Sequence, residues 1–575
     1  MNTERTGNSK CKSQNVKGAG SWICSFCILN FAFCISPSLA REITVAPDPA
    51  GGAVLAKAIQ DAADGDTIVL KKGLYRETIV LTKGLHLKGE ATDKPENQDP
   101  KSKIPNRDAV LDPSEPFTAQ WQAGPDVGKG VYRAASKRQP RALILDGKIV
   151  AEIDERRAGG DDAWSWKALL AAGPPLSKLR FIRALWMYRA SEKMVYLHLE
   201  NDADPGRLQW AVLWTKEPVV AFRNASGASI SGLTVAHGFT GVALLDRSTR
   251  CVVSKCTIGP WEKNGVVISG GASECLVEGN SIFRGAYEDW TPVDDTKPRY
   301  EVWKIHKTVG FYDRVGIDLL RSGANNRIHA NHVFETFDGI NIGGDYSVES
   351  LDIPLPHPEH GQGTEIWENV IERTRDSGME LGVGCIDVRV HHNILRQTHG
   401  GLRYKLPRVG PVFIYRNLLV DGTPFNIWYS MDDSPAEGYV YHNTIVGGSA
   451  ALIYSSFNKG GHQIGAPHWH YFNNLCMTKG FFKNWRVNAP VNFTADYNLV
   501  LGGGKPWPDD AAKDQHSIYA NEAVPLSPEY HLLPGSPAID AGLDLSTAFH
   551  GKPLPGCEGH YFKGKAPDIG AFETE

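Results

Sequence analysis

The chain reads as all-β, a solenoid in which parallel strands stack rung on rung. Three observations lead there. Asn369, Asn393 and Asn417 recur at a fixed step of 24 residues, each just before a short apolar strand, and Asn443, Asn474 and Asn498 continue the series with some longer steps. A fixed period of that length marks a solenoid. Counting back from Asn280 by the same step reaches Cys256 and then Gly232, so the register extends beyond the asparagines that reveal it. Between recurrences lie triplets in which apolar residues flank one outward residue: Ile317-Asp318-Leu319, Ile340-Asn341-Ile342, Met379-Glu380-Leu381, Leu402-Arg403-Tyr404 and Ile427-Trp428-Tyr429. That is the face-to-face alternation of a strand with one side in a core. Composition agrees: 575 residues with 59 Gly and 10% aromatics can bury a large core, and a formal charge of -4 shows no basic excess suited to nucleic acid.

Residues 1–40 carry Arg5, Lys10, Lys12 and Lys17, then an apolar run from Trp22 to Ile35, then Ser38-Leu39-Ala40. This is the form of a signal peptide with cleavage near Ala40, so a secreted or periplasmic protein is expected. The run is short for a membrane span and no Cys follows Ala40, so no span or lipid anchor is expected after its removal. Cys251 and Cys275 are 24 residues apart, which places them on neighbouring rungs about 4.8 Å apart. A disulfide of an oxidising compartment and a stacked pair of buried thiols both fit.

Residues 41–111 form the N-terminal cap and first coil. Val54 to Ala63 has helical apolar spacing, and Gly65 to Leu70 followed by Gly73-Leu74-Tyr75 reads as a turn and strands. A short helix there would plug the open end of the coil. The period vanishes over 112–218, where Trp121, Gly130 to Arg133, Ala142 to Lys148 and Met194 to Leu199 read as antiparallel strands joined by turns, an inserted β-sandwich. Coils resume over 219–501, and the turn-rich residues 502–575 form a closing segment.

Three stretches make this chain resemble the secreted right-handed parallel β-helix proteins of the pectin-lyase-like superfamily. They are Ala58-Ile59 to Gly73-Leu74-Tyr75, the asparagine series, and the closing Ser536-Pro537-Ala538-Ile539-Asp540-Ala541-Gly542 and Asp568-Ile569-Gly570-Ala571-Phe572-Glu573. The resemblance covers most of the chain outside 112–218 and implies a right-handed coil. A sandwich inserted near its start also looks like certain secreted β-helical glycosidases. It does not name an activity, because the superfamily includes lyases, hydrolases, epimerases and adhesins.

The triplets put Asp318, Asn341, Glu380, Arg403 and Trp428 in one outward column, with Lys405 on the same face. Against a site stands an ordinary solvated face with a Glu380–Arg403 cross-strand pair. The turns before the column read Thr336-Phe337-Asp338-Gly339, Thr374-Arg375-Asp376-Ser377 and Thr398-His399-Gly400-Gly401. Asp, Asp and His on successive rungs loosely resemble polygalacturonase-type hydrolases. The chain departs from that pattern in lacking an Asp-Asp doublet and in carrying Arg403 and Lys405 directly after the His. Asp before Gly is also ordinary turn chemistry.

Two breaks in the period flank this face. Asn280 to Asn331 spans 51 residues where two coils would need 48, with a strand-poor stretch at 286–314 that holds Tyr287, Trp290 and Trp303; an excess of 14 falls around 345–363. Long loops on a repeat scaffold line its binding face, and their aromatic residues suit stacking against sugar rings. His357-Pro358-Glu359-His360 lacks the helical spacing of a zinc motif. The asparagine series itself is read as scaffold, because stacked side-chain amides satisfy one another inside a coil.

The leading expectation is cleavage of glycosidic bonds in a polysaccharide or oligosaccharide. Hydrolysis needs one protonated and one ionised carboxyl, for which Asp338, Asp376 and Glu380 are candidates, with His399 or Arg403 setting their ionisation. Elimination from a uronic acid would use Arg403 and Lys405 as base and carboxylate partner, with Tyr404 expected to point inward. A non-catalytic glycan-binding surface protein is the third reading. The sequence requires no cofactor and is compatible with calcium; it leaves the metal, the glycan and the oligomeric state open.

Overall fold

The structure, a computed structural model, describes residues 40–574 apart from 91–108, 125, 154–182, 289, 291–312, 343–360, 383, 406–408, 422, 430–436, 449–450, 457–467, 480–481, 486–492 and 502–513. Among the described residues, three long parallel sheets run side by side, of thirteen, thirteen and eleven strands. One rung shows the plan: Val388–His391 in a first sheet, Ile394–Arg396 in a second and Gly400–Lys405 in a third. These are called the ladder sheet, the middle sheet and the site sheet. Strands of each sheet pair only with the rung before and the rung after, so the molecule is a parallel β-helix.

The corner between ladder and middle sheets is two residues long on every rung from Ser229–Ser231 to Leu499–Leu501. Its first residue takes a left-handed conformation, as at Glu368 (φ 54°), His392 (φ 54°) and Arg416 (φ 52°), and its second is the ladder residue. Asn369 Nδ2 donates to Asn393 Oδ1 at 3.0 Å, and Asn393 Nδ2 to Asn417 Oδ1 at 3.0 Å. The same bond links Asn280 to Asn331, Asn331 to Asn369, and Asn417 through Asn443 and Asn474 to Asn498. Each amide also bonds backbone, so polar groups inside the corner are paired along the axis.

Two details differ from the sequence count. The 51-residue step from Asn280 to Asn331 is one rung, since the two side chains are directly bonded at 2.9 Å; the extra length lies between the middle and site sheets. Thr234 pairs with Thr257, so the ladder position before Cys256 is Leu233, while Gly232 (φ 62°) is the left-handed residue of that corner. One rung there is a residue shorter than the period.

A second column runs along the start of the site sheet. Gly241, Gly265, Gly316, Gly339 and Gly378 each lie so close to the next rung that an added Cβ would stand 2.7, 2.6, 2.7, 2.3 and 2.9 Å from the carbonyl oxygen of the following glycine in the column. The same Cβ on Gly339 would meet the core side chain of Ile371 at 2.6 Å. These glycines are needed for close approach, which corrects the reading of the Asp-Gly pair as ordinary turn chemistry.

The core of the coil is a continuous apolar file including Ile317, Ile340, Met379, Leu381, Leu402 and Tyr404. The helix Val54–Asp61 buries Leu55 and Ile59 against its first rungs, and Glu77 caps it by accepting from the backbone N–H groups of Leu55 and Ala56 at 3.0 and 2.8 Å. Among the described residues no helix is long and apolar enough to cross a membrane. Among the described residues, strands between Glu115 and Leu213 form one eight-stranded sheet whose two halves are joined by a short parallel pairing of Ala151 and Glu152 with Leu185 and Trp186. The halves share an apolar core of Leu143, Leu145, Trp186, Leu197 and Val212, so the insert is a sandwich made by curling a single sheet. The C-terminal residues lie along outer faces of the coil: Leu545, Leu554 and Cys557 cover Phe413, Tyr415, Tyr439 and Tyr441, while Val524, Leu532 and Ile569 cover Leu475 and Leu499. Cys251 and Cys275 are buried free thiols, whose sulfurs approach the carbonyls of Ala225 and Ser248 at 3.6 and 3.8 Å.

Candidate functional site

On the site sheet, Asp318 pairs in register with Asn341, Asn341 with Glu380, and Glu380 with Arg403. Each sits between two core residues of its own strand, so all four face away from the apolar file. Arg403 then pairs with Asn426, and Trp428 pairs with Lys405. Trp428 is therefore two residues beyond the predicted column. Phe425-Asn426-Ile427 has the same apolar-flanked pattern as Ile427-Trp428-Tyr429, and the rung length, with Leu402 opposite Phe425, selects the first.

The turns bring further carboxylates to this column. Asp338 pairs with the rung position of Ser377, and Ser377 with Gly400, so Asp376 and His399 are equivalent while Asp338 is displaced by one residue. Asp338 Oδ1 accepts from the Ser377 N–H at 3.0 Å. Arg403 then gathers the group: Nη2 donates to Asp376 Oδ1 at 2.9 Å and Nη1 to Glu380 Oε1 at 3.0 Å. Ser377 Oγ donates to the same Glu380 oxygen at 2.8 Å. One oxygen from each of Asp338, Asp376 and Glu380 lies within 4.8 Å of the other two, and all three residues are buried. Burial opposes the Arg403 charge, but Asp376, Glu380 and Asp338 together outweigh it and hold the guanidinium above its usual range.

Asp318 receives a hydrogen bond from Asn264 Nδ2 at 2.9 Å. Its carboxyl is pushed up to about 6, mainly by burial, with Asp313 and Glu380 adding to the shift and Lys263 and Asn264 opposing it. A file of buried charges runs beside this group. Arg314 Nη2 lies 2.8 Å from Glu262, Glu262 3.6 Å from Arg284, Arg284 3.5 Å from Glu288, and Glu288 3.7 Å from Arg375, whose guanidinium lies 4.1 Å over the ring of Trp290.

Among the expected substrate contacts, Trp290 thus stands beside the turn that carries Asp376. Tyr287 does not join it: its ring packs on the core of the inserted sheet under Arg183, because its backbone N–H donates to Ile149 of the insert. Tyr404 points inward as expected and meets Trp469 edge-on in the core. Trp303, His357 and His360 lie outside the described residues.

Sequence reasoning missed Ser377, Asn264 and the file from Glu262 to Arg375. A signal for the first two was present: Thr240-Gly241-Val242, Asn264-Gly265-Val266, Val315-Gly316-Ile317, Asp338-Gly339-Ile340, Ser377-Gly378-Met379 and Gly400-Gly401-Leu402 repeat one motif at one register, whose first residue bonds within the site at Asn264, Asp338 and Ser377.

A family model described as a right-handed beta helix region matches residues 219–405. Among solved structures, the chain is similar to a complex of XylC with xylose at 12% identity, covering 84% of this chain and 87% of that one with a TM-score of 0.47. It is similar to the pectate lyase Pel9A at 11% identity, with 94% and 97% covered and a TM-score of 0.35. An alginate lyase from Paenibacillus sp. str. FPU-7 gives 11% identity, 79% and 97% covered and a TM-score of 0.36. Comparison with curated protein sequences gives no match.

Proposed function

Because the chain is a right-handed parallel β-helix protein, we propose that the cluster on its site sheet cleaves glycosidic bonds in a polysaccharide or oligosaccharide by hydrolysis. One observation carries the reading: three buried carboxyl groups within 4.8 Å of one another, gathered around Arg403 and facing away from the core. Glycoside hydrolysis uses paired carboxyl groups, one as acid and one as base or nucleophile. In this proposal Glu380, held by Ser377 and Arg403, is the ionised base or nucleophile, and Asp338 delivers the proton to the leaving oxygen. Asp376 fixes Arg403 from the other side, and Trp290 offers a stacking surface for a sugar ring.

The engagement of Arg403 favours hydrolysis over elimination. A lyase arginine has to reach the substrate carboxylate or its C5 proton, whereas both terminal nitrogens of Arg403 already donate to protein carboxylates. The same guanidinium bears on calcium, which takes six or more oxygen ligands and would have to displace it from Asp376 and Glu380; the proposal routes no step through a metal. The leader at 1–40 supports export, testable by finding the chain outside the cytoplasm and cut near Ala40.

The deciding experiment incubates the purified protein with a panel of glycans while recording new reducing ends and ultraviolet absorbance from unsaturated uronides. Reducing ends without absorbance are expected. Both together would replace hydrolysis by elimination, and binding without either would make the protein a glycan-binding module.

A further inference from the structure

The file of charges from Arg314 to Arg375 has no evident need as an anchor. The inserted sheet is already fixed to the coil by apolar contact, with Ile144, Ile149 and Leu213 packed against Phe239, and by a buried His237–Asp112 pair at 2.9 Å. Its turn also binds backbone to backbone: Ile149 N–H donates to Gly285 O at 2.9 Å, and Tyr287 N–H donates to Ile149 O at 2.7 Å. Buried ion pairs add little to stability against well-packed apolar side chains, because each charge must leave water. Glu288 and Arg375 nevertheless lie buried and paired, one residue beyond the segment bound by the insert and one residue before Asp376.

We propose that Glu288 and Arg375 are positioning residues of the candidate site, and that through them the inserted sheet sets the placement of Asp376 and Trp290. The chain of contact is continuous: Ile149 holds Gly285 and Tyr287, Glu288 follows and meets Arg284 and Arg375, Arg375 backs Trp290, and the neighbouring Asp376 bonds Arg403. The insert is then a part of the site as well as an appended domain. For catalysis, this rests on the hydrolase reading above.

The test uses the full chain and the variants Glu288→Gln and Arg375→Lys, the first removing charge at constant shape and the second keeping charge while losing the planar fork. Hydrogen–deuterium exchange followed by mass spectrometry reads the amides of 285–290 and 374–380 without any substrate. Steady-state rates against pH then read the site. Faster exchange in 374–380 is expected in both variants, with kcat/KM lower by about tenfold, the scale of coupling within one charge network, a displaced acid limb and a melting temperature lowered by no more than about 5 °C. Unchanged exchange in 374–380 overturns the proposal, as does a loss of rate that only follows a loss of melting temperature. If exchange changes but the parent cleaves no glycan, the hydrolase reading falls while the positioning stands.

Discussion

Arg403 shows how far a single residue could be understood before the structure. Its place opposite Glu380 follows from strand alternation and rung length alone, since Leu402 and Tyr404 must both face the core. Its burial does not, because that depends on segments that are distant in sequence. Two predictions belong here. Asp338→Asn, Asp376→Asn and Glu380→Gln keep size and hydrogen bonding but cannot exchange a proton, so at least two of the three should lose a hundredfold or more of activity, on the order of 10²–10⁴, at an unchanged circular dichroism spectrum. Full activity in all three would remove the carboxylate mechanism. The second concerns Asp318, whose folded value of about 6 lies above that of a free carboxyl. The folded chain therefore holds this proton more tightly than the unfolded chain, so its contribution to stability is present at low pH and is lost as pH rises through about 6. Melting curves from about pH 4 to pH 8 should show the parent losing stability relative to Asp318→Asn over that rise; parallel curves would refute the assignment.

At the scale of the element, the asparagine ladder was legible because the same polar residue returns at the same place, and the glycine column was not, because the residue before each glycine varies from Thr to Asn, Val, Asp, Ser and Gly. That variation is itself physical: the glycine is fixed by the next rung's carbonyl, while no such contact fixes the residue before it. Asn393→Ala would remove the acceptor of the Asn369 backbone N–H and side-chain amide and the side-chain donor to Asn417 Oδ1 and the carbonyl of Ile366, at a cost of about 1 to 3 kcal/mol readable in denaturant unfolding. Gly339→Ala drives a methyl to 2.3 Å from Gly378 O and should cost about 1 to 3 kcal/mol in the same assay. An unaffected midpoint in either case would count against the packing described.

For the whole molecule, a lost period is visible in the sequence without knowing what replaces it, and the coil strands Ala109–Leu111 and Val220–Arg223 stand on either side of the inserted sheet. The curl of the insert into one sheet and the course of the C-terminal residues along the outer faces depended on contacts between segments far apart in sequence, with no period to betray them. Removing residues 543–575 should uncover Phe413, Tyr415, Tyr439 and Tyr441 and lower the soluble, monodisperse fraction by size-exclusion chromatography, since an exposed aromatic face associates; an unchanged elution profile would show that the cover is dispensable. The constancy of one corner has a practical meaning for protein engineering. Between ladder and middle sheets the chain spends two residues on every rung from Ser229 to Leu501, while between site and ladder sheets the passage from Ile342 to Glu365 or from Ser456 to His468 is long and unequal. A foreign peptide grafted at the first corner would break the amide file on both sides of it, whereas one grafted at the second leaves the file untouched. The molecule is in this sense a cassette holder with one closed corner per turn and two open ones, since the passage from middle to site sheet already carries the inserted sheet between Leu111 and Val220 and the long step from Phe283 to Val315.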